Sequence, residues 1–202
     1  MAALGNAEGR PGVTTSEMRP LQPPLVAVRQ LLERFGNQGV IIGGVAASVL
    51  GTPRLTADVD VVLLLSVSRL PELLDVAADL GLVPRIADAE QFARRNRVVL
   101  LRHEESGISV DVSLGMLPFE EEVVARGRMV QVGNIELRLP TPEDLIILKA
   151  VAHRPKDLLD IAGIFSCHPD LDRARIEGWV REFAAALEMP ELWADVAQLL
   201  KP

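Results

Sequence analysis

The chain has 202 residues, 49% of them apolar, and a formal net charge of −7, which fits one domain, or a domain with a small helical appendage, and gives no global attraction to polyanions. Aromatic residues make up 3% with no tyrosine, which argues against a base-stacking platform. The single cysteine, Cys167, excludes an internal disulfide and suits a reducing cytoplasm, and no apolar run is long enough to span a bilayer.

Residues 1–24 scatter Gly5, Gly9, Gly12, Pro11, Pro20, Pro23 and Pro24 without the apolar core of a signal peptide, and read as a flexible tail. Residues 25–35 carry a helical stripe, Leu25, Val28, Leu31, Leu32 and Phe35, that stops at Gly36. A short buried strand at 40–42 turns through Gly43-Gly44 into a small-residue helix ending at Gly51. Pro53 breaks the chain before a strand at 58–65. Ser68, Pro71 and Glu72 open a helix that ends at Gly81. A helix at 87–95 leads to strands at 98–103 and 108–114, and a further helix covers 118–125. Gly133-Asn134 closes a hairpin of a kind suited to a type II′ turn. From Thr141 the pattern is helical, at 141–153, 156–166, 171–187 and 190–200. Thr141 serves as N-cap, Pro142 as first helical residue and Asp144 as an acid in the first turn. The expected organisation is a tail at 1–24, a mixed α+β core at 25–140 and a helical part at 141–202 that completes the site.

Asp58-Val59-Asp60 is the most informative segment. Alternate side chains on a strand share a face, so Asp58 and Asp60 point the same way. In 108–114 the apolar residues Ile108, Val110, Val112 and Leu114 take one face and leave Ser109, Asp111 and Ser113 on the other. If the two strands are neighbours, three carboxylates converge. Two such charges about 5 Å apart at an effective dielectric near 20 repel by roughly 3 kcal/mol. A hard cation relieves this, and Mg²⁺ shared with substrate phosphates fits the donor set.

The order strand, Gly-Gly, short helix, Asp-x-Asp strand and later Asp strand resembles the nucleotidyltransferase superfamily that includes the DNA polymerase β palm. Arg54-Leu55-Thr56-Ala57-Asp58-Val59-Asp60, then Thr141 to Lys149, then Arg154-Pro155-Lys156-Asp157-Leu158-Leu159-Asp160 resemble the AbiEii/MenT group of toxin nucleotidyltransferases. The resemblance spans about 38–165 and implies a nucleotidyltransferase-type sheet flanked by helices. It implies one or two Mg²⁺ ions on Asp58, Asp60 and Asp111, with Asp111 placed for the nucleophile. It implies a nucleoside triphosphate (NTP) substrate with phosphates at Gly43 and Gly44, where free helix N–H groups favour anions. Lys149 is the implied essential lysine, a phosphate-binding or nucleotide-activating cation reaching the same cleft, Arg54 binds phosphate or braces the carboxylates, and Lys156 and Asp157 support the site. The commoner Gly-Ser of the superfamily is absent, so phosphate contact there falls to backbone N–H groups.

Each motif has a plainer reading. Asp-x-Asp alone describes a solvated edge, and Gly43-Gly44 a simple turn. Lys149 is the only charge in 145–152 and either reaches a polar site or snorkels to the surface; methionine there would keep the apolar stem and spare the fold. Asp157 and Asp160, spaced i, i+3, can pair with Arg154 and Lys156. His103, His153 and Cys167-His168 lack the paired spacings of zinc sites. A macromolecular acceptor, tRNA or protein, is expected from the toxin likeness, with a cognate antitoxin as partner. Arg94, Arg95, Arg97 and Arg102 are the candidate phosphate contacts for tRNA. A small cationic acceptor, of aminoglycoside type, would instead use Glu120, Glu121 and Glu122. A non-catalytic nucleotide-binding relative is the third reading, and loss of a carboxylate would mark it.

Overall fold

Residues 19–200 are described in the computed structural model of the chain, which opens with a 3-10 turn at Arg19–Leu21. The first half contains α1 (Gln22–Arg34), β1 (Gly39–Ile42), α2 (Gly43–Leu50), β2 (Asp58–Leu63), α3 (Leu70–Asp79), β3 (Leu82–Pro84), α4 (Ala89–Asn96) and β4 (Val98–His103). The second contains β5 (Ser109–Leu114), α5 (Pro118–Arg126), β6 (Arg128–Val132), β7 (Ile135–Leu139), α6 (Pro142–Ala152), α7 (Pro155–Cys167), α8 (Arg173–Ala186) and α9 (Glu191–Leu199). Helix α1 starts before its apolar stripe because Pro23 and Pro24 occupy the first turn, where a missing N–H costs nothing. Residues 19–24 therefore belong to folded structure, and 1–18 of the expected tail lie outside the described residues.

Five strands form one mixed sheet in the order β1-β2-β5-β4-β3. Only β2 and β5 run parallel; the other three pairings are antiparallel. Burial alternates along β5 without exception, and along the start of β2. Val59, Val61, Val110, Val112, Val99 and Leu101 are fully buried, as are Leu25, Val28 and Leu31 of α1. Each such side chain contributes about 1.5–3 kcal/mol on leaving water. The mixed α+β architecture is the one expected from sequence. Strand β3 was not legible, since three residues ending in Pro84 show no alternation; its pairing with β4 from Leu82↔His103 to Pro84↔Leu101 makes it a strand.

Beyond the sheet, β6 and β7 form a hairpin with Val132↔Ile135 as its last pair, and Gly133 has φ +60° as a II′ turn requires. Thr141 caps α6 by accepting the Asp144 N–H at 3.3 Å. Asp144, buried, receives Arg126 Nε at 3.0 Å and Arg175 Nε at 2.7 Å, tying α6 to α5 and α8. Phe119, Trp179 and Phe183 pack with ring centroids 4.9–5.8 Å apart and fasten the same two helices. Among the described residues no helix is long and apolar enough to cross a membrane.

Candidate active site

Parity and register bring the acids together. Asp60 pairs with Asp111 across the parallel β2–β5 ladder, and Asp58 pairs with Ser109 one step along. All three carboxylates lie on the half-exposed face, while their chain neighbours Val59, Val110 and Val112 are in the core. Thr56 Oγ1 donates to Asp58 Oδ1 at 2.9 Å and orients that carboxylate. Burial raises the pKa of the Asp60 carboxyl above its ordinary value, the charges of Asp58 and Asp111 raise it further, and Arg154 and Lys149 oppose the rise. Burial also raises Asp111, against the guanidinium of Arg85.

Gly43 and Gly44 are required by contact. Gly43 has φ +64°, and a Cβ there would lie 2.7 Å from Asp60 Cγ and 2.8 Å from Asp60 Cβ. A Cβ on Gly44 would meet Thr56 Cβ at 2.9 Å. The glycines thus let the start of α2 press against the Asp-x-Asp strand. Among the described residues no side chain caps α2, which leaves its first N–H groups available to an anion beside Asp60. Gly43→Ala combines a left-handed backbone with a steric overlap on Asp60. It is expected to lower turnover about 100-fold, the scale of a 1 Å misplacement, as a rate comparison with the parent would show; a variant within twofold would refute the contact argument.

Lys149 is buried, and it does not snorkel. Its Nζ lies 2.9 Å from Asp157 Oδ1 and 2.7 Å from Asp160 Oδ2. Asp160 also takes a fork from Arg54, Nε at 2.6 Å and Nη2 at 2.8 Å. Asp157 takes Arg154 Nε at 2.6 Å and caps α7 by accepting the Arg154 N–H at 3.2 Å. Burial opposes ionisation of both acids, but hydrogen bonds outweigh it, from Arg154 and Lys149 to Asp157 and from Arg54 and Lys149 to Asp160, and hold both below the ordinary carboxylate range. Arg54 therefore braces Asp160. Lys156 is exposed and joins none of these pairs.

Sequence reasoning missed Arg85, which donates to Asp111 Oδ1 and, from Nη1, to Ser109 Oγ at 3.2 Å. No motif flagged it, because its position follows from β3. It also read Arg154 only as a pairing partner, whereas its charge bears on Asp60 and Asp58. The expected tRNA contacts divide. Arg94 is tied to Glu90 at 2.6 Å and to the Val67 carbonyl at 3.2 Å, past the end of β2 remote from Asp58. Arg97 folds back on the Leu114 carbonyl at 3.0 Å. Arg95 is exposed on α4. Arg102 is in register with Ser109 and stands on the carboxylate face. Glu120 accepts the Met116 and Leu117 N–H groups at 2.8 and 2.9 Å, and Glu122 pairs with Arg175 at 2.7 Å, so neither is a free acceptor for an amine, while Glu121 is exposed on α5.

Hard oxygen donors on one face match Mg²⁺ chemistry. Among the described residues, no three His, Cys, Asp or Glu side chains close into a metal-ready cluster; Arg85 engages Asp111. Residues 25–173 match the family described as "Nucleotidyltransferase of unknown function (DUF6036)". The chain belongs to the DUF6036 nucleotidyltransferase family. No curated protein matches the chain. Among solved structures, the antibiotic-resistance factor ANT(2″)-Ia is similar to it at 15% identity and TM-score 0.55, over 85% of this chain and 97% of that one. The lincosamide antibiotic adenylyltransferase LnuA is similar at 15% identity and TM-score 0.49, over 77% and 99%. An antigenic nucleotidyltransferase-like protein from Paracoccidioides brasiliensis gives 15% and 0.47, over 92% and 94%. For this DUF6036 member, the likeness to ANT(2″)-Ia establishes the shared fold.

Proposed function

We propose that this protein is a Mg²⁺-dependent nucleotidyltransferase that moves a nucleoside monophosphate from an NTP to an acceptor hydroxyl. The observation that carries the reading is the Asp60↔Asp111 register on one face with Gly43 pressed against Asp60. Asp58, Asp60 and Asp111 would hold the metal, Asp111 once Arg85 lets it go. One or two Mg²⁺ ions, when bound, neutralise triphosphate charge and lower the pKa of the attacking hydroxyl. The acceptor oxygen attacks the α-phosphorus, the bridging bond to the β-phosphate breaks, and pyrophosphate leaves. Asp111 receives the hydroxyl proton on a carboxylate oxygen. The free N–H groups at the start of α2 and the Arg154 guanidinium take phosphate oxygens. Lys149 fixes Asp157 and Asp160, and through them the placement of Arg154 and Arg54.

The likeness of 38–165 to AbiEii/MenT toxins supports a macromolecular acceptor, tRNA or protein, a cytoplasmic site of action and a cognate antitoxin. A small-molecule acceptor is the second reading; it draws on the similarity to an antibiotic-resistance factor along nearly all of that protein's length, and fold alone does not choose between the two. Incubation with Mg²⁺ and each α-labelled NTP, with total tRNA, with lysate protein and with an aminoglycoside, tests the reading. Mg²⁺-dependent label in one acceptor is the expected result; none in any, with every NTP, would overturn it.

A further inference from the structure

From β2 to β3, strand register places two rows of side chains on the open face of the sheet, with Ile42 of β1 flanking Asp60. One row runs Asp60, Asp111, Leu100 and then Arg85, whose N–H extends the β3–β4 ladder to the Leu100 carbonyl at 2.9 Å. The adjacent row runs Asp58, Ser109, Arg102 and Val83. The carboxylates therefore occupy β2 and β5, and arginines occupy β4 and the end of β3. Adjacent strands lie about 4.8 Å apart, so Arg102 stands one strand beyond Ser109. It is exposed and paired to no carboxylate among the described residues. Glu104 and Glu105 lie in the turn past His103, farther along from Asp111 than Arg102 is.

The opposite flank has its own cations. Gly43 and the start of α2 abut Asp60, and Arg154 and Lys149 bear on Asp60 from the side of the C-terminal helices. A triphosphate on that flank meets the first N–H groups of α2 and the exposed Arg154, which is bonded to Asp157. Arg85 and Arg102 lie on the other side of Asp111, separated from that flank by β2 and β5. Arginine presents a planar fork suited to phosphate, and Arg85 and Arg102 sit in neighbouring rows with Ser109 beside them.

We infer that the acceptor is itself anionic, a phosphate-bearing hydroxyl compound seated over β5, β4 and β3 with its phosphate on Arg102 and Arg85 and its hydroxyl at Asp111. The inference rests on the nucleotidyl-transfer reading and adds the acceptor's chemical class. A phosphate on Arg85 competes with Asp111 for that guanidinium, so acceptor binding also frees Asp111 for the metal and the proton. A polycationic acceptor would meet two arginines at this place; of the three acids named for it from sequence, Glu120 and Glu122 are engaged elsewhere, which leaves Glu121, exposed on α5. A polynucleotide end and a small phosphorylated alcohol share the required chemistry.

The test uses the full chain with Mg²⁺, α-labelled NTP and three acceptors offered separately: total tRNA, a nucleoside monophosphate and an aminoglycoside. Label is expected in a phosphate-bearing acceptor, with tRNA against monophosphate identifying which source it is. Arg102→Glu is expected to raise the KM for that acceptor about tenfold or more, equivalent to ~1.4 kcal/mol, with the loss falling on KM and not kcat. Arg102→Lys should recover most of it, and for tRNA the salt dependence of the parent should exceed that of R102E by about one phosphate contact. Preferential labelling of the aminoglycoside, or a KM within twofold of the parent in R102E, overturns the inference while leaving nucleotidyl transfer standing. Absence of label in every acceptor, together with no Mg²⁺-dependent NTP binding, overturns both.

Discussion

Lys149→Met is expected to lower the melting temperature by about 6–12 °C. Lys149 is 4% exposed and is shared by Asp157 and Asp160, both themselves buried. Removing one partner of a buried ionic cluster costs roughly 3 kcal/mol, because the carboxylates lose a counter-charge without regaining water. For a chain of this size each 1 kcal/mol moves Tm by about 2–4 °C. This reverses the expectation from sequence, where the apolar surroundings of Lys149 made methionine look harmless. The residual pairs to Arg54 and Arg154 should keep the variant folded at low temperature, where loss of NTP turnover then reports on the site. Scanning calorimetry on both proteins decides it: a fall of less than about 2 °C would show that the ammonium does not neutralise the pair. Asp157 and Asp160 titrate below the ordinary 3.8 in the folded chain. Their contribution is present above that value and is lost as pH falls through their lower folded pKa values.

Asp60→Asn should do the opposite to stability while removing function. Three carboxylates share one face, and the amide deletes the central charge. Relief of like-charge repulsion, screened by the open side of the face, is on the order of 1 kcal/mol, or ~2–4 °C in Tm. The sign follows from linkage. Asp60 has a raised pKa in the folded state, so the native chain binds more protons than the unfolded one above pH 3.8, and stability falls as pH rises through that window. The amide introduced in D60N does not titrate, so that variant should lack that part of the decline and exceed the parent most at neutral pH. Mg²⁺ with NTP should reverse the order by stabilising the parent; a ligand at ten times its Kd adds ~1.4 kcal/mol. Melting curves at pH 5 and 8, with and without Mg²⁺ and NTP, test both halves. A D60N protein less stable than the parent without ligand would contradict the repulsion argument.

What could be read from sequence followed the period of side chains. Valines alternating with Asp58 and Asp60, and with Ser109 and Asp111, fixed the face of each acid without any tertiary information. The Gly43-Gly44 turn was legible as a turn, but its steric reason was not, since it depends on Asp60 and Thr56 arriving from the next strand. Arg85 was invisible for the same cause: β3 has three residues, and only pairing with β4 places the residue after Pro84 beside Asp111. Local repeats also failed to separate the four arginines of 94–102. Arg97 lies in a left-handed turn with φ +54° and bonds backbone, while Arg102 sits in register with Ser109. Long-range register decides such roles, and periodicity carries no trace of it.

The most direct measurement is the fate of label from one NTP marked at the α-phosphate and, separately, at the γ-phosphate, with Mg²⁺ and the responsive acceptor. Transfer with attack at the α-phosphorus places α-label on the acceptor, releases γ-label as pyrophosphate, and vanishes in D60N. Label from the γ-position on the acceptor, or undiminished transfer in D60N, would contradict nucleotidyl transfer at the Asp58, Asp60 and Asp111 face.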